Sequence, residues 1–316
     1  MNAQQKFQQL AETVTNEIIE KLEQGVVIWQ KPWGTAGFAG LPKNYKSGRC
    51  YEGFNAFYLN YVTIEKNYRT PNFITFNQAK ELGGNVRKGE KGTQILFWKI
   101  YGNKVGEKTT STGETKDVIQ NKFVPFIWTV FNIDQIEGVE FKFPEVKERT
   151  ENEIIEACQS IVDNYPVPAP RIQHGGSEAY YAPFNDKVQM PAIGHFVNPQ
   201  SYHSVLFHEL IHSTGHEVRL NRFTPEDKTS RFGDTNYSKE ELVAEMGASF
   251  LNAHTGIKDA VIENSVAYLK GWASKLKDDK TMIIYASTKA FKAASFILNL
   301  KPEPQEQEQE AAQQEA

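Results

Sequence analysis

Cysteine is scarce, with 2 among 316 residues, Cys50 and Cys158. Two thiols build neither a disulfide framework nor a four-cysteine zinc site, and they suit a reducing compartment. Long apolar runs are missing as well. No stretch of about 18 apolar residues exists, which excludes a membrane-spanning helix. The opening Met1-Asn-Ala-Gln-Gln-Lys6 leads into an amphipathic, glutamate-containing segment, not the apolar centre of a secretory signal. A cytoplasmic location with no membrane partner is therefore expected. Neither charge sign dominates: the net charge is −4, with 23% charged and 40% hydrophobic residues, an ordinary globular balance. At 316 residues the chain outgrows a single core, so two domains are expected.

The small net charge conceals an uneven distribution. Residues 29–104 carry 9 Lys and 3 Arg against 4 Glu, interleaved with aromatic residues from Trp29 to Trp98. Cations that track phosphates beside rings that stack on bases are the composition of a single-strand binder. The candidates for phosphate contact are Lys31, Lys43, Lys46, Arg49, Arg87, Lys88 and Lys91; for stacking they are Trp29, Trp33 and Tyr51. At the other end, residues 301–316 are rich in Gln and Glu and nearly free of large apolar groups, so disorder is expected there.

Periodicity supplies the elements. Phe7, Leu10, Val14, Ile18 and Leu22 recur at spacings of three and four, which predicts one amphipathic helix stopped by Gly25. A helix is expected over 53–62 and a short one over 76–82. Strands are expected over 93–101 and 123–131, separated by a polar, flexible loop over 102–122. Residues 139–150 are charged and contain Pro144, which marks a boundary. Thr150 and Glu153 then form a capping-box pattern ahead of a helix. Short strands and turns over 171–197 precede helices at about 201–214, 239–254, 257–277 and 281–298. The fold class is α+β in two domains: an α+β nucleic-acid-binding domain over 1–140, a linker over 141–150, and a domain over 151–300 with a small sheet and several helices.

The chemistry concentrates at His208-Glu-Leu-Ile-His212. Residues four apart share a helix face, so both imidazoles can reach one ion, and Glu209 can take a proton from an attacking water. His216 is a poor third ligand. On a continued helix it would lie about 12 Å along the axis from His208, too far for bonds near 2 Å to one ion. The position six after His212 is Val218, which excludes a three-histidine metzincin pattern. Glu241 and Glu245 lie four apart on a predicted helix, the spacing of a Glu-type zincin. Glu241 is favoured over Glu245 as ligand, with Glu245 orienting a ligand histidine from behind. Glu240 points away from that face. The predicted cofactor is Zn2+, another divalent metal being possible. Tyr180, Tyr181, His195, Tyr237, His254 and Tyr285 are open candidates for stabilising an oxyanion.

Taken together, the motifs resemble ArdC-type antirestriction proteins of mobile elements. The first half is similar to the N-terminal domain that these share with TraC-type plasmid primases, through Trp29-Gln-Lys-Pro-Trp33, Tyr51-Glu-Gly-Phe-Asn55, residues 75–84, Val86-Arg-Lys-Gly-Glu-Lys-Gly92 and residues 130–135. The second half is similar to the family's zincin-like metallopeptidase domain, through residues 186–191, residues 208–216 with Arg219 and Arg222, and Glu240-Glu-Leu-Val-Ala-Glu245. Ser213 stands where the pattern carries Trp. The resemblance covers about residues 10–298. It implies single-stranded-DNA binding, protection of incoming DNA from restriction, and an edge strand at 186–191 on which an extended peptide could pair. Two readings follow. In one the chain is a zinc metallopeptidase with Glu209 as general base and a peptide or protein substrate. In the other it masks DNA without catalysis, and its zinc domain is structural.

Overall fold

A computed structural model describes residues 1–30, 41–109, 115–143, 149–223, 235–258 and 265–300. Lys31, Trp33, the tail over 301–316 and residues 144–148 of the expected linker lie outside the described residues.

The first helix, α1 (Ala3–Glu23), starts at a capping box in which Asn2 and Gln5 satisfy each other's backbone N–H groups. Phe7, Leu10, Val14, Ile18 and Leu22 are all buried, as their spacing predicts, and Gly25 follows at φ 81°. A short 3-10 turn (Ile28–Gln30) precedes β1 (Lys43–Asn44), α2 (Gly53–Glu65), β2 (Asn72–Ile74) and α3 (Phe76–Glu81). Then come β3 (Asn85–Val86), β4 (Thr93–Thr109), β5 (Thr115–Asn132) and β6 (Ile136–Glu137). One sheet has the order β1-β2-β5-β4, and β3 pairs with β6.

The loop expected over 102–122 is instead a continuation of both strands. The antiparallel ladder runs from Thr93↔Val130 out to Thr109↔Thr115, with a bulge between Lys104 and Gly106. Where its burial is described, at Tyr101, Gly102, Gly106 and residues 120–123, the ladder is exposed, so no core imposes there the apolar alternation by which a strand is recognised in sequence. The backbone ladder carries the pairing out to its end.

The second half begins with α4 (Glu151–Asp163), capped by the expected Thr150–Glu153 box. A three-stranded sheet follows, built from β7 (Arg171–His174), β8 (Tyr180–Ala182) and β9 (Lys187–Met190) in the order β7-β9-β8. The strand expected at the edge, β9, is therefore the central one, parallel to β7 and antiparallel to β8. Both its backbone edges are occupied, and no peptide can add there. Four helices complete the fold: α5 (Pro199–Ser213), α6 (Thr235–Thr255), α7 (Val266–Asp278) and α8 (Met282–Ile297). Gly256, at φ 93°, follows α6, and Ser265 caps α7, so the helix expected from 257 starts later.

One continuous apolar core contains the buried residues of α1, α2, α4 and β9 together with those of α5 to α8. Polar contacts cross the same seam. Thr15 donates to the Lys280 carbonyl at 2.7 Å, and Lys277 pairs with Glu23 at 3.1 Å. None of the helices described is long and apolar enough to cross a membrane.

Candidate metal centre

Asn198 caps α5 by accepting the Ser201 N–H, and Pro199 supplies its first turn. The helix buries Leu206, Phe207, Leu210 and Ile211. That registers His208 and His212 on the flank facing α6. Gly247 makes the approach of α6 possible. A Cβ there would lie 2.7 Å from Ile211 Cδ1, so only glycine lets the two helices meet at this height.

Three side chains converge across this contact. His208 Nε2 and His212 Nε2 are 3.1 Å apart. The Glu241 carboxylate reaches each of them at 3.4 Å. All three donors lie within 4.8 Å of one another. His216 is not among them: α5 ends at Ser213, and His216 sits in the turn that follows, its N–H on the Ser213 carbonyl. The charges suit a cation. Burial alone would raise the pKa of Glu241, but the two imidazoles outweigh it and hold the carboxylate well below its usual range. Burial works against protonation of His212, yet Glu241 and Glu240 raise its pKa well above the ordinary value. A field that favours a proton at this point equally favours a metal ion. Glu209 is 7% exposed, one residue along the same helix from His208.

The residue behind His212 is Glu240. Its Oε1 is 3.1 Å from His212 Nδ1. This bond leaves Nε2 as the lone-pair donor toward the cluster. Arg222 braces Glu240 through Nε at 2.8 Å and Nη2 at 2.6 Å, and also donates to the Ile211 carbonyl and Thr214 Oγ1. Despite burial, that guanidinium keeps the Glu240 carboxyl pKa low. Glu240, which lies off the Glu241 face of the helix, thus supports the cluster from behind and is not one of its donors. Arg222, in the Arg-Leu-Asn-Arg stretch after α5, was the available signal for that role. Glu245, expected to orient a histidine, accepts the Trp29 indole N–H at 2.7 Å and the Tyr268 hydroxyl.

Arg219 plays a parallel structural part. Its guanidinium is fully buried and donates to Asp186, Tyr181, Ser213 and Pro168. It thus ties the end of α5 to the sheet. Burial would raise the Asp186 pKa, but Arg219 and Tyr181 outweigh it and lower it. With its hydroxyl engaged at Asp186 and Arg219, Tyr181 is not a free oxyanion donor.

The nucleic-acid candidates divide by burial. Trp29 is 0% exposed, its ring set edge-on to Trp272, and Tyr51 is 5% exposed within a second apolar cluster. Neither offers a face to a base, which corrects the stacking role expected of them. They fill the core because their rings are the largest apolar groups near the helices. Lys46 is exposed and pairs with Glu81, Arg49 is half-buried, and Lys88 and Lys91 are exposed. Arg87, also exposed, donates to the Asp134 carbonyl and to Glu90.

Comparison with known proteins agrees with this architecture. Residues 8–131 match the model of the N-terminal domain of anti-restriction factor ArdC, and residues 161–289 match a zincin-like metallopeptidase model. The chain is 34% identical to a DNA primase TraC of Escherichia coli over 322 residues, covering 96% of this chain but 28% of the primase. A second TraC from the same species is 32% identical, with 20% of its length covered. The chain therefore spans less than a third of these relatives. By contrast, it is 30% identical to the uncharacterized protein y4eC of Sinorhizobium fredii, with 90% of each chain covered. Crystal structures of the antirestriction ArdC protein from plasmid R388 superpose with TM-scores of 0.64 (metal-free) and 0.66 (Mn(II)-bound). At 35% and 34% identity they cover 92% of this chain and 99% and 97% of the plasmid protein. With both halves matched in order and nearly the whole plasmid protein covered, the chain belongs to the ArdC antirestriction family, an ArdC N-terminal domain followed by a zincin-like metallopeptidase domain.

Proposed function

We propose that this chain is a zinc-dependent peptidase of the antirestriction type that also binds single-stranded DNA, acting to protect DNA entering a cell. The observation that carries the peptidase reading is the donor spacing. Bonds of about 2.0–2.1 Å at tetrahedral angles put neighbouring ligands about 3.3 Å apart. Here the two imidazole Nε2 atoms stand 3.1 Å apart, Glu241 sets one carboxylate oxygen 3.4 Å from each of them, and one donor atom from each residue lies within 4.8 Å of the others. Two imidazoles and one carboxylate, with a fourth position left for a reactant, are the donor set of a catalytic zinc site.

A cation bound by His208, His212 and Glu241 would supply Lewis-acid polarisation of a carbonyl and acidify a water toward neutral pH. The chain does the rest. His208, His212 and Glu241 hold the ion, and Glu240 with Arg222 fixes the tautomer and orientation of His212. Glu209 takes the proton of the attacking water on its carboxylate and returns it to the departing amine. DNA binding is supported by the exposed cations Lys46, Lys88 and Lys91 and by the similarity to the ArdC N-terminal domain and to primases.

The test pairs wild type with Glu209→Gln in host lysate, with and without single-stranded DNA. New peptide termini are mapped by mass spectrometry and bound metal is measured. Termini that appear with wild type alone, at equal metal content, establish the peptidase and name its substrate. Identical profiles at equal metal content give the centre a structural role and leave DNA masking as the function.

A further inference from the structure

Trp29 and Tyr51 are inside the protein, yet other aromatic residues stand exposed on the β4–β5 ribbon. Near the root of the ribbon both faces are covered: Leu96 belongs to the main core and Ile95 to the second cluster. Two residues further out the cover ends. Trp98 is 41% exposed, Ile100 51%, Tyr101 47% and Phe123 57%. Ile100 stands opposite Phe123, and Tyr101 opposite Lys122. One face thus presents Trp98, Ile100 and Phe123, and the other presents Lys99, Tyr101 and Lys122. Trp98 is steadied from behind by Phe7, with ring centroids 5.4 Å apart, so its orientation is fixed before any ligand arrives.

Clustered exposed rings of this size mark an interaction surface. The charge selects the occupant. Together β4 and β5 carry five lysines against Glu107 and Asp117. The ribbon also rises directly from the basic turn that holds Arg87, Lys88 and Lys91. Flat rings alternating with cations accept bases and phosphates in turn, whatever the base sequence. We infer that the outer β4–β5 ribbon is the platform on which single-stranded DNA stacks, the strand crossing the ribbon's free edge so that Trp98 and Phe123 meet bases on one face and Tyr101 on the other, with Lys99 and Lys122 on phosphates beside Tyr101. This rests on the proposed reading that the chain binds single-stranded DNA.

The experiment uses the full chain and a fluorescent oligothymidylate of about 20 nucleotides, read by anisotropy. The Tyr101→Ala/Phe123→Ala double variant is expected to weaken binding about 10-fold or more at an unchanged melting temperature. Tyr101→Phe, which keeps the ring, is expected to bind as wild type does. DNA should quench tryptophan emission in wild type and much less in Trp98→Phe. Equal binding by wild type and the double variant overturns the assignment of the site while leaving DNA binding intact. Failure of wild type to bind the oligonucleotide overturns the DNA reading itself. Tighter binding of a duplex, or a double variant whose sole defect is lost self-association in sedimentation, overturns the platform in favour of groove insertion or a contact between copies.

Discussion

Glu240 and Glu241 are adjacent in sequence, and about 100° of helix rotation separates them. That rotation lets them address opposite sides of one imidazole: Glu241 faces His212 Nε2 at 3.4 Å, and Glu240 faces Nδ1 at 3.1 Å. An outer carboxylate of this kind fixes the ring and raises its basicity, and its loss costs about 10–100-fold in metal affinity. Glu240→Gln keeps an acceptor for Nδ1 and removes the charge, so it should weaken zinc binding about 10-fold in a chelator competition. Under the same titration Glu209→Gln should match wild type, since Glu209 is not among the three convergent donors. Glu240→Ala is a poorer probe because it strands the Arg222 guanidinium in a buried site, at a cost of about 3–5 kcal/mol. The two histidines and Glu241 were legible because a helix converts a spacing of four into a shared face. Glu240 was not, because its role depends on Arg222 folding back from a turn whose path no spacing rule predicts.

Between elements, the α5–α6 contact sets the geometry of the centre. Gly247 sits mid-helix, where glycine costs about 1 kcal/mol relative to alanine. The gain is proximity, because a Cβ at 247 would lie 2.7–2.8 Å from three carbons of Ile211. Ile211 stands between His208 and His212, so any retreat of α6 carries Glu241 away from both. Gly247→Ala should therefore lower the melting temperature despite its better helix propensity, and should weaken metal binding in the same titration. Adding Ile211→Ala should restore metal affinity in part by clearing the clash. Loss of stability with unchanged metal affinity would separate the packing from the site and refute the link. The helices were readable because each buries one face, as in α1 from Phe7 to Leu22. The outer β4–β5 ladder was not readable, because its sequence over 102–122 is polar and no apolar alternation marks it. A four-residue strand such as β9 declares its own pleat but not its neighbours, so its central position came only from the pairing.

The whole molecule joins its two sequence halves through one interior. The charged stretch around 139–150 lies in the interval between the two family matches, which end at 131 and begin at 161. Composition says nothing of what packs across it. Here α1 lies against α7, α2 against α8, and the Ile28–Gln30 turn against α6. Trp29 carries the junction furthest. Its ring meets Trp272, and its indole N–H reaches Glu245, one turn along α6 from Glu241. A conspicuous tryptophan in a basic, aromatic segment reads as a DNA contact because sequence registers its chemistry and not its burial. The shared core leads to a prediction about folding. The full chain should unfold in one calorimetric transition, and Trp29→Ala should cost about 3–5 kcal/mol, as for a buried large aromatic. A fragment beginning at residue 149 would expose the faces of α6, α7 and α8 that α1, α2 and Trp29 cover. It should bind a hydrophobic dye, lack a cooperative melt and hold zinc weakly. Adding residues 1–140 in trans should restore the melt, because the missing surface is then supplied without the covalent link. A fragment that melts cooperatively and binds zinc as the full chain does would mean that the α5–α6 contact is self-sufficient. The N-terminal half would then be tethered to the metal centre without supporting it.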